Sequence, residues 1–220
     1  MNITDLLATD PREPGEQRVY GVVVGIVTNN RDPEGMGRVK VKFPWRDDTD
    51  ESFWTRMAVP MAGKERGTYF LPEVGDEVLV AFDRGDIRCP YVLGGLWNGV
   101  DTPPETNADG KNNVRKIKSR SGHEIIFADD AEGGKEKVEI HTAAGHKILL
   151  DDAKGGEKIE LVDKTGSNSI KIDSVQNTIA VESAMNLKIK AQMVEIESGG
   201  MMTIKAGATL TIKGALVQIN

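Results

Sequence analysis

Rings and proline are missing from the second half of this chain. Its nine prolines all lie at or before Pro104, and every Phe, Tyr and Trp lies at or before Phe127. Aromatic side chains each bury a large area, so their loss argues against an ordinary globular core over residues 128–220. An interior too narrow for rings fits better. The missing prolines leave every backbone N–H available to a β-ladder.

Cysteine is almost absent too. Cys89 stands alone, which excludes an intrachain disulfide and a four-cysteine zinc site within one chain. Its place before Pro90 and near apolar residues predicts a small buried side chain. No stretch approaches the roughly 20 apolar residues that would span a bilayer as a helix. The opening residues MNITDLLATDPREPGE lack a basic segment followed by an apolar core, so no secretory signal is expected and synthesis in the cytoplasm is. A positive excess is also lacking. The net charge of −6 argues against nucleic acid as the main partner, because phosphate binding needs clustered Lys and Arg.

What is present divides into two physically different halves. Residues 1–17 form a polar arm with Ile3, Leu6 and Leu7 as its apolar positions. Residues 18–100 then give about five strands: Val19–Thr28, Arg38–Phe43, Ser52–Pro60, Glu77–Phe82 and Tyr91–Leu96. Val39, Val41 and Phe43 alternate with Arg38, Lys40 and Lys42, and turn residues separate the runs. This pattern predicts a small closed Greek-key barrel. Residues 101–117 form a linker by composition, and 118–220 form the second structural segment.

That segment is repetitive. Ser121-Gly122-His123-Glu124-Ile125-Ile126-Phe127 returns 23 residues later as Gly145-His146-Lys147-Ile148-Leu149-Leu150. Each copy precedes a glycine pair and a further strand, as expected of a stacked architecture. From Ile170 the repeat shortens. Apolar pairs recur at steps of seven to nine: Ile170 with Ile172, Ile179 with Val181, Leu187 with Ile189, Val194 with Ile196, Met202 with Ile204, Leu210 with Ile212, and Val217 with Ile219. This is period-two β-structure with one dry face. A lone ribbon buries such a face only partly, too little to offset the entropy of ordering the repeat. Three identical chains around one axis would cover the face and pair each other's edges. A single-chain parallel β-helix is the alternative, though its coils usually need longer repeats.

In order along the chain, several segments resemble the spike proteins of contractile injection machines, a family that includes phage baseplate assembly protein V and VgrG. They are Gly37–Trp45, Phe53–Ala58, Ala62-Gly63, Gly67–Phe82, Gly85-Asp86, Pro90–Gly94, Leu96–Asn98 and Ser121–Phe127. The resemblance implies an all-β fold: an N-terminal OB-fold-like barrel followed by a C-terminal triple-stranded, intertwined trimeric β-helix. It implies a structural central spike that sits on a hub at the tube end and pierces the target membrane. It also implies assembly into a phage-tail-like particle, virion or secretion apparatus, with outward delivery on contraction. The needle core, and with it the trimer interface, would be the fourteen paired residues from Ile170 to Ile219. Only about 17 residues precede the barrel, so a separate hub protein is expected. The final residues carry no His-x-His, so a PAAR-type tip protein is expected on Leu216, Val217, Ile219 and Asn220.

Catalysis finds little support. His123, His141 and His146 fit no zinc spacing, and His123 and His146 follow glycine at matching repeat positions, which favours a turn or surface role. Asp47-Asp48-Thr49-Asp50-Glu51 suits a solvated loop better than a cation site. Arg84-Gly85-Asp86 suits a hairpin tip. Gly35-Met36-Gly37 precedes a strand, which is wrong for a phosphate loop. Ser121, His123 and Asp129 show no nucleophile-elbow pattern. The expectation is a non-enzymatic homotrimer with no cofactor, no metal and no nucleic-acid partner. Two alternatives remain open. One is a trimeric β-helical tail fibre or adhesin binding carbohydrate, although the shaft lacks aromatic sugar platforms. The other is an oligosaccharide- or nucleic-acid-binding barrel on a stalk.

Overall fold

Val39 and Val41 are fully buried while Lys40 and Lys42 beside them are not, so strict alternation turns one side of this strand into core. In the computed structural model, which describes residues 18–46 and 51–219, that strand is β2 (Lys40–Lys42) of a five-stranded sheet. The others are β1 (Val22–Asn29), β3 (Arg56–Met57), β6 (Glu77–Phe82) and β7 (Pro90–Gly95). Their order is β2-β1-β6-β7-β3. All neighbours are antiparallel except β3 and β7, which run parallel. Bridges Val39↔Thr55 and Lys42↔Glu51 join the two ends, so the sheet closes into a barrel. A two-residue hairpin, β4 (Ala62–Gly63) with β5 (Arg66–Gly67), stands beside it in sequence.

The barrel core is small and aliphatic: Val27, Val39, Val41, Val78, Val80 and Val92, with Phe43 and Phe82 in contact at 5.5 Å between ring centroids. Gly25 faces this core. A Cβ there would lie 3.2 Å from a Val80 methyl and 3.5 Å from Val41 Cβ, so a side chain would crowd the barrel interior. Thr55 is buried, and its hydroxyl donates to the Phe53 carbonyl at 3.0 Å.

One expectation for this unit fails. Cys89 is exposed, because the chain leaves β6 through a 3-10 turn at Asp83–Gly85 and the cysteine falls in the bend that follows. Its backbone N–H donates to the Asp86 carbonyl, and its own carbonyl accepts from Asp83. Arg84-Gly85-Asp86 lies in the same connection, where Arg84 and Gly85 both have positive φ. The Asp86 carboxyl is lowered to about 2 by its hydrogen bonds with Arg88. Residues 1–17, most of the acidic 47–51 loop, and Asn220 lie outside the described residues.

The chain divides into two compact units, Met1–Ala108 and Asp109–Asn220. The second holds one seven-stranded antiparallel meander. Its strands are β8 (Val114–Lys118), β9 (Glu124–Ala128), β10 (Lys137–His141), β11 (Lys147–Asp151), β12 (Lys158–Val162), β13 (Asn168–Asp173) and β14 (Thr178–Ser183). β8 begins inside the stretch that composition marks as linker. The 23-residue repeat is a pair of strands with its turn. Gly122 and Gly145 occupy equivalent turns at φ 85° and 100°, a conformation side chains rarely adopt.

Candidate assembly site

The register of the meander sorts its side chains into rows. One row runs Ile117, Ile125, Ile140, Ile148, Leu161, Ile170 and Val181, each directly opposite the next across neighbouring strands. The row two residues away runs Arg115, Phe127, Val138, Leu150, Ile159, Ile172 and Ile179. Alternation puts both rows on the same face. Apart from Arg115 at the sheet edge, every position is a large apolar residue. That face is uncovered. Val138 is half-buried, and the other apolar positions run from 37% exposed at Ile125 to 73% at Ile179. A continuous apolar surface spanning seven strands marks an interaction site.

The opposite face is largely polar and internally paired, with Ile126, Leu149 and Val162 among its large apolar residues. Lys137 and His141 both contact the Glu139 carboxylate at 2.9 Å. Lys158 pairs with Glu160 at 3.2 Å and Lys171 with Asp173 at 3.1 Å, two residues apart on one strand each time. Lys116 and Lys118 meet Glu124 on the adjacent strand at 3.3 and 3.0 Å. Lys118 foremost, and Lys116 with it, hold the Glu124 carboxyl below its ordinary range. Leu149 is the one buried apolar residue of the described meander.

The histidines belong to the turns. The His123 ring accepts from the backbone N–H of Ala143, and the His146 ring accepts from that of Lys164, both through Nδ1 at 3.2 Å. Each thus ties its own turn to the turn one repeat further on. The third turn of this series uses Asp163, whose carboxylate accepts from Asn168 and Thr165. Asn168, with the other donors, holds that carboxyl at about 2. Among the described residues no group of three His, Cys, Asp or Glu side chains could hold a metal ion.

Beyond Ser183 the chain changes character. Among the described residues, 184–219 form no strand paired within the chain. The backbone instead bends at Ala184–Met185, Gln192, Gly199–Gly200, Gly207–Ala208 and Ala215–Leu216, in steps close to eight residues. Between or beside these bends lie five apolar pairs: Leu187 with Ile189, Val194 with Ile196, Met202 with Ile204, Leu210 with Ile212, and Val217 with Ile219.

Within the single chain these pairs are exposed. Ile189 and Ile196 are each 72% exposed, and Leu187, Val194, Met202, Ile204, Leu210, Ile212, Val217 and Ile219 are exposed as well. The physical reason is local: among the described residues none of these pairs belongs to a strand with a partner in the chain. Leu216 is likewise exposed. Ile170, Ile172, Ile179 and Val181 differ in one respect. They meet within the chain, as Ile170↔Val181 and Ile172↔Ile179, although their outer face is open. The sequence pattern therefore joins two kinds of segment. It also omits Ile117 through Leu161, which continue the same dry face and whose signal is the alternation inside the 23-residue repeat.

Residues 23–97 match the family described as the type VI secretion system/phage-baseplate injector OB domain. That match takes in the strands of the barrel, from β1 to β7. It is 32% identical over 126 residues to the type VI secretion system spike protein VgrG3 of Vibrio cholerae, covering 54% of this chain and 12% of that protein. It is 27% identical over 223 residues to the spike protein VgrG1a of Pseudomonas aeruginosa, covering 85% of this chain and 34% of that protein. A third relative, the actin cross-linking toxin VgrG1 of Vibrio cholerae, is 32% identical over 124 residues, which are 11% of its length. The chain thus spans about a third or less of these relatives. The barrel is the part of the chain that matches the OB domain, and the fold is all-β throughout the described residues. No helix among them is long and apolar enough to cross a membrane.

Proposed function

We propose that this chain is a structural, non-enzymatic spike of a contractile injection machine, working as a homotrimer. The observation that carries the reading is the dry face of the meander, followed by 36 described residues with no strand partner of their own. Both deficits have one remedy. Three meanders turned inward bury their apolar rows against one another, and the three bent segments supply each other's strand partners. The fourteen pair residues from Ile170 to Ile219 then form the lower core of a needle, with Ile189 and Ile196 drying against their copies. The dry-face residues from Ile125 to Leu161 form its upper core.

In this reading 118–220 act as the needle and the OB barrel of 18–100 as the base that seats on a separate hub protein. Leu216, Val217, Ile219 and Asn220 offer a blunt apolar platform for a PAAR-type tip protein. The needle contacts the target membrane briefly as contraction drives it outward from a particle or apparatus assembled in the cytoplasm. Rigidity comes from a shared core without long loops.

The test is the mass of the full-length chain in solution. Light scattering should give about three times 23.9 kDa, stable in mild detergent. A folded, well-behaved single copy at micromolar concentration would overturn the proposal.

A further inference from the structure

Every acidic residue of this chain lies at or before Glu197. Residues 198–220 contain just two charged side chains, Lys205 and Lys213. Against a net charge of −6 for the whole, the final stretch carries +2 and the remainder therefore −8. Both lysines are exposed and stand in no ion pair among the described residues.

The preceding repeats are balanced. Lys188 and Lys190 are followed seven residues later by Glu195 and Glu197, which is the local step between apolar pairs, so the charges offset between neighbouring repeats. Lys205 and Lys213 each follow an apolar pair by one residue, after Ile204 and Ile212. Alternation sends them to the side away from those pairs, at the same repeat position eight residues apart.

We propose that this acid-free stretch is a contact for a bilayer surface rich in anionic headgroups. The inference rests on the trimer proposed above, which places six lysines around one short length of needle. Lysines near an anionic leaflet are drawn to it within a Debye length. Their aliphatic stems can lie along the acyl boundary while the ammonium groups stay at headgroup level. A lipid surface suits this stretch better than a protein partner. Lysine is a flexible point charge, adapted to mobile headgroups rather than to fixed bidentate recognition. Met201, exposed nearby, adds an adaptable apolar side chain.

The test uses full-length protein co-sedimented with vesicles of phosphatidylcholine alone or of phosphatidylcholine with phosphatidylglycerol. Binding should favour the anionic vesicles about tenfold or more and fall as salt is raised. The Lys205→Gln/Lys213→Gln double variant should lose about tenfold or more of that affinity. Lys188→Gln/Lys190→Gln, which removes as many lysines from the balanced repeats, should keep it. Equal binding to both vesicles, no binding, or the same loss in both double variants would overturn the inference. Each protein's mass is measured first, so a wrong oligomeric state counts against the trimer and a wrong lipid preference, in a proven trimer, against the lipid contact alone.

Discussion

Asp32 grips Arg38 with both carboxylate oxygens, at 2.7 Å to Nη2 and 2.9 Å to Nε. The same carboxylate accepts backbone N–H groups of Glu34, Met36 and Arg38, so one shielded acid organises the whole β1–β2 connection. Bidentate, charge-assisted pairing of this kind fixes geometry as well as adding energy.

The first prediction concerns acid. The Arg38 guanidinium, helped by those N–H groups, holds the Asp32 carboxyl far below the usual carboxylate range. A carboxyl depressed in the folded state contributes stability above its unfolded pKa and loses it as pH falls through the folded value. Asp32→Asn should therefore melt at lower temperature than the parent at neutral pH. The gap should hold down to about pH 5 and narrow below about pH 4, near the unfolded carboxyl value. Thermal unfolding followed across that range checks both statements. A gap unchanged at about pH 2 would rule out the ionised pair as its source.

Gly25 supplies the second. A valine there would drive its side chain into Val80 and Val41, and overpacking a close-fitted core costs roughly 1–3 kcal/mol. Denaturant unfolding of Gly25→Val should show a barrel weakened by about that amount, with the meander's circular dichroism retained.

The third tests the turn ladder. Removing the ring acceptor in His123→Ala or His146→Ala should cost about 0.5–1.5 kcal/mol each, the net worth of one hydrogen bond. Amide exchange should speed up at Ala143 in the first variant and at Lys164 in the second, each one repeat away from the substitution. Faster exchange confined to the mutated turn itself would contradict the ladder.

The fourth addresses assembly. Ile204→Asp or Ile212→Asp puts three unpaired carboxylates near one axis in the proposed trimer, each costly to bury. Either variant should fail to reach the trimer mass in light scattering. A soluble, thermally unchanged trimer would argue strongly against an interior role for these side chains.

Much of the fold is legible in local alternation. Val39, Val41 and Phe43, then Val78 and Val80, announce half-buried strands, and all five are core. Turn positions in the meander are equally plain, because Gly122 and Gly145 sit at equal places in the repeat. The start of β8 is hidden, since Arg115 interrupts the apolar row and makes the strand look like polar linker. Cys89 misleads because the run that follows it, Pro90 to Leu93, is apolar while its own backbone lies in a bend. The handover after Ser183 is invisible in the apolar pairs alone. The pairs at Ile170 and Ile179 look like the later ones at Ile189 and Ile196, yet the first two are joined by a tight turn at Ser174–Asn177. There the Asp173 carboxylate accepts from Val175 and Gln176, and Asn177 takes a positive φ. The later bends lack a carboxylate in that role and a positive φ; hydroxyls of Ser183 and Ser198 bond across two of them, and the chain runs onward without folding back into a paired strand.

The paired-strand repeat also makes the meander a ruler. One 23-residue unit adds two strands, or roughly 9.5 Å across the sheet at the usual strand spacing. Inserting or deleting whole units would change reach in fixed increments while every greasy row stays in line. A single extra residue inside a strand would swap that strand's two sides. Length in this protein can therefore vary by whole hairpins, and hardly at all by anything smaller.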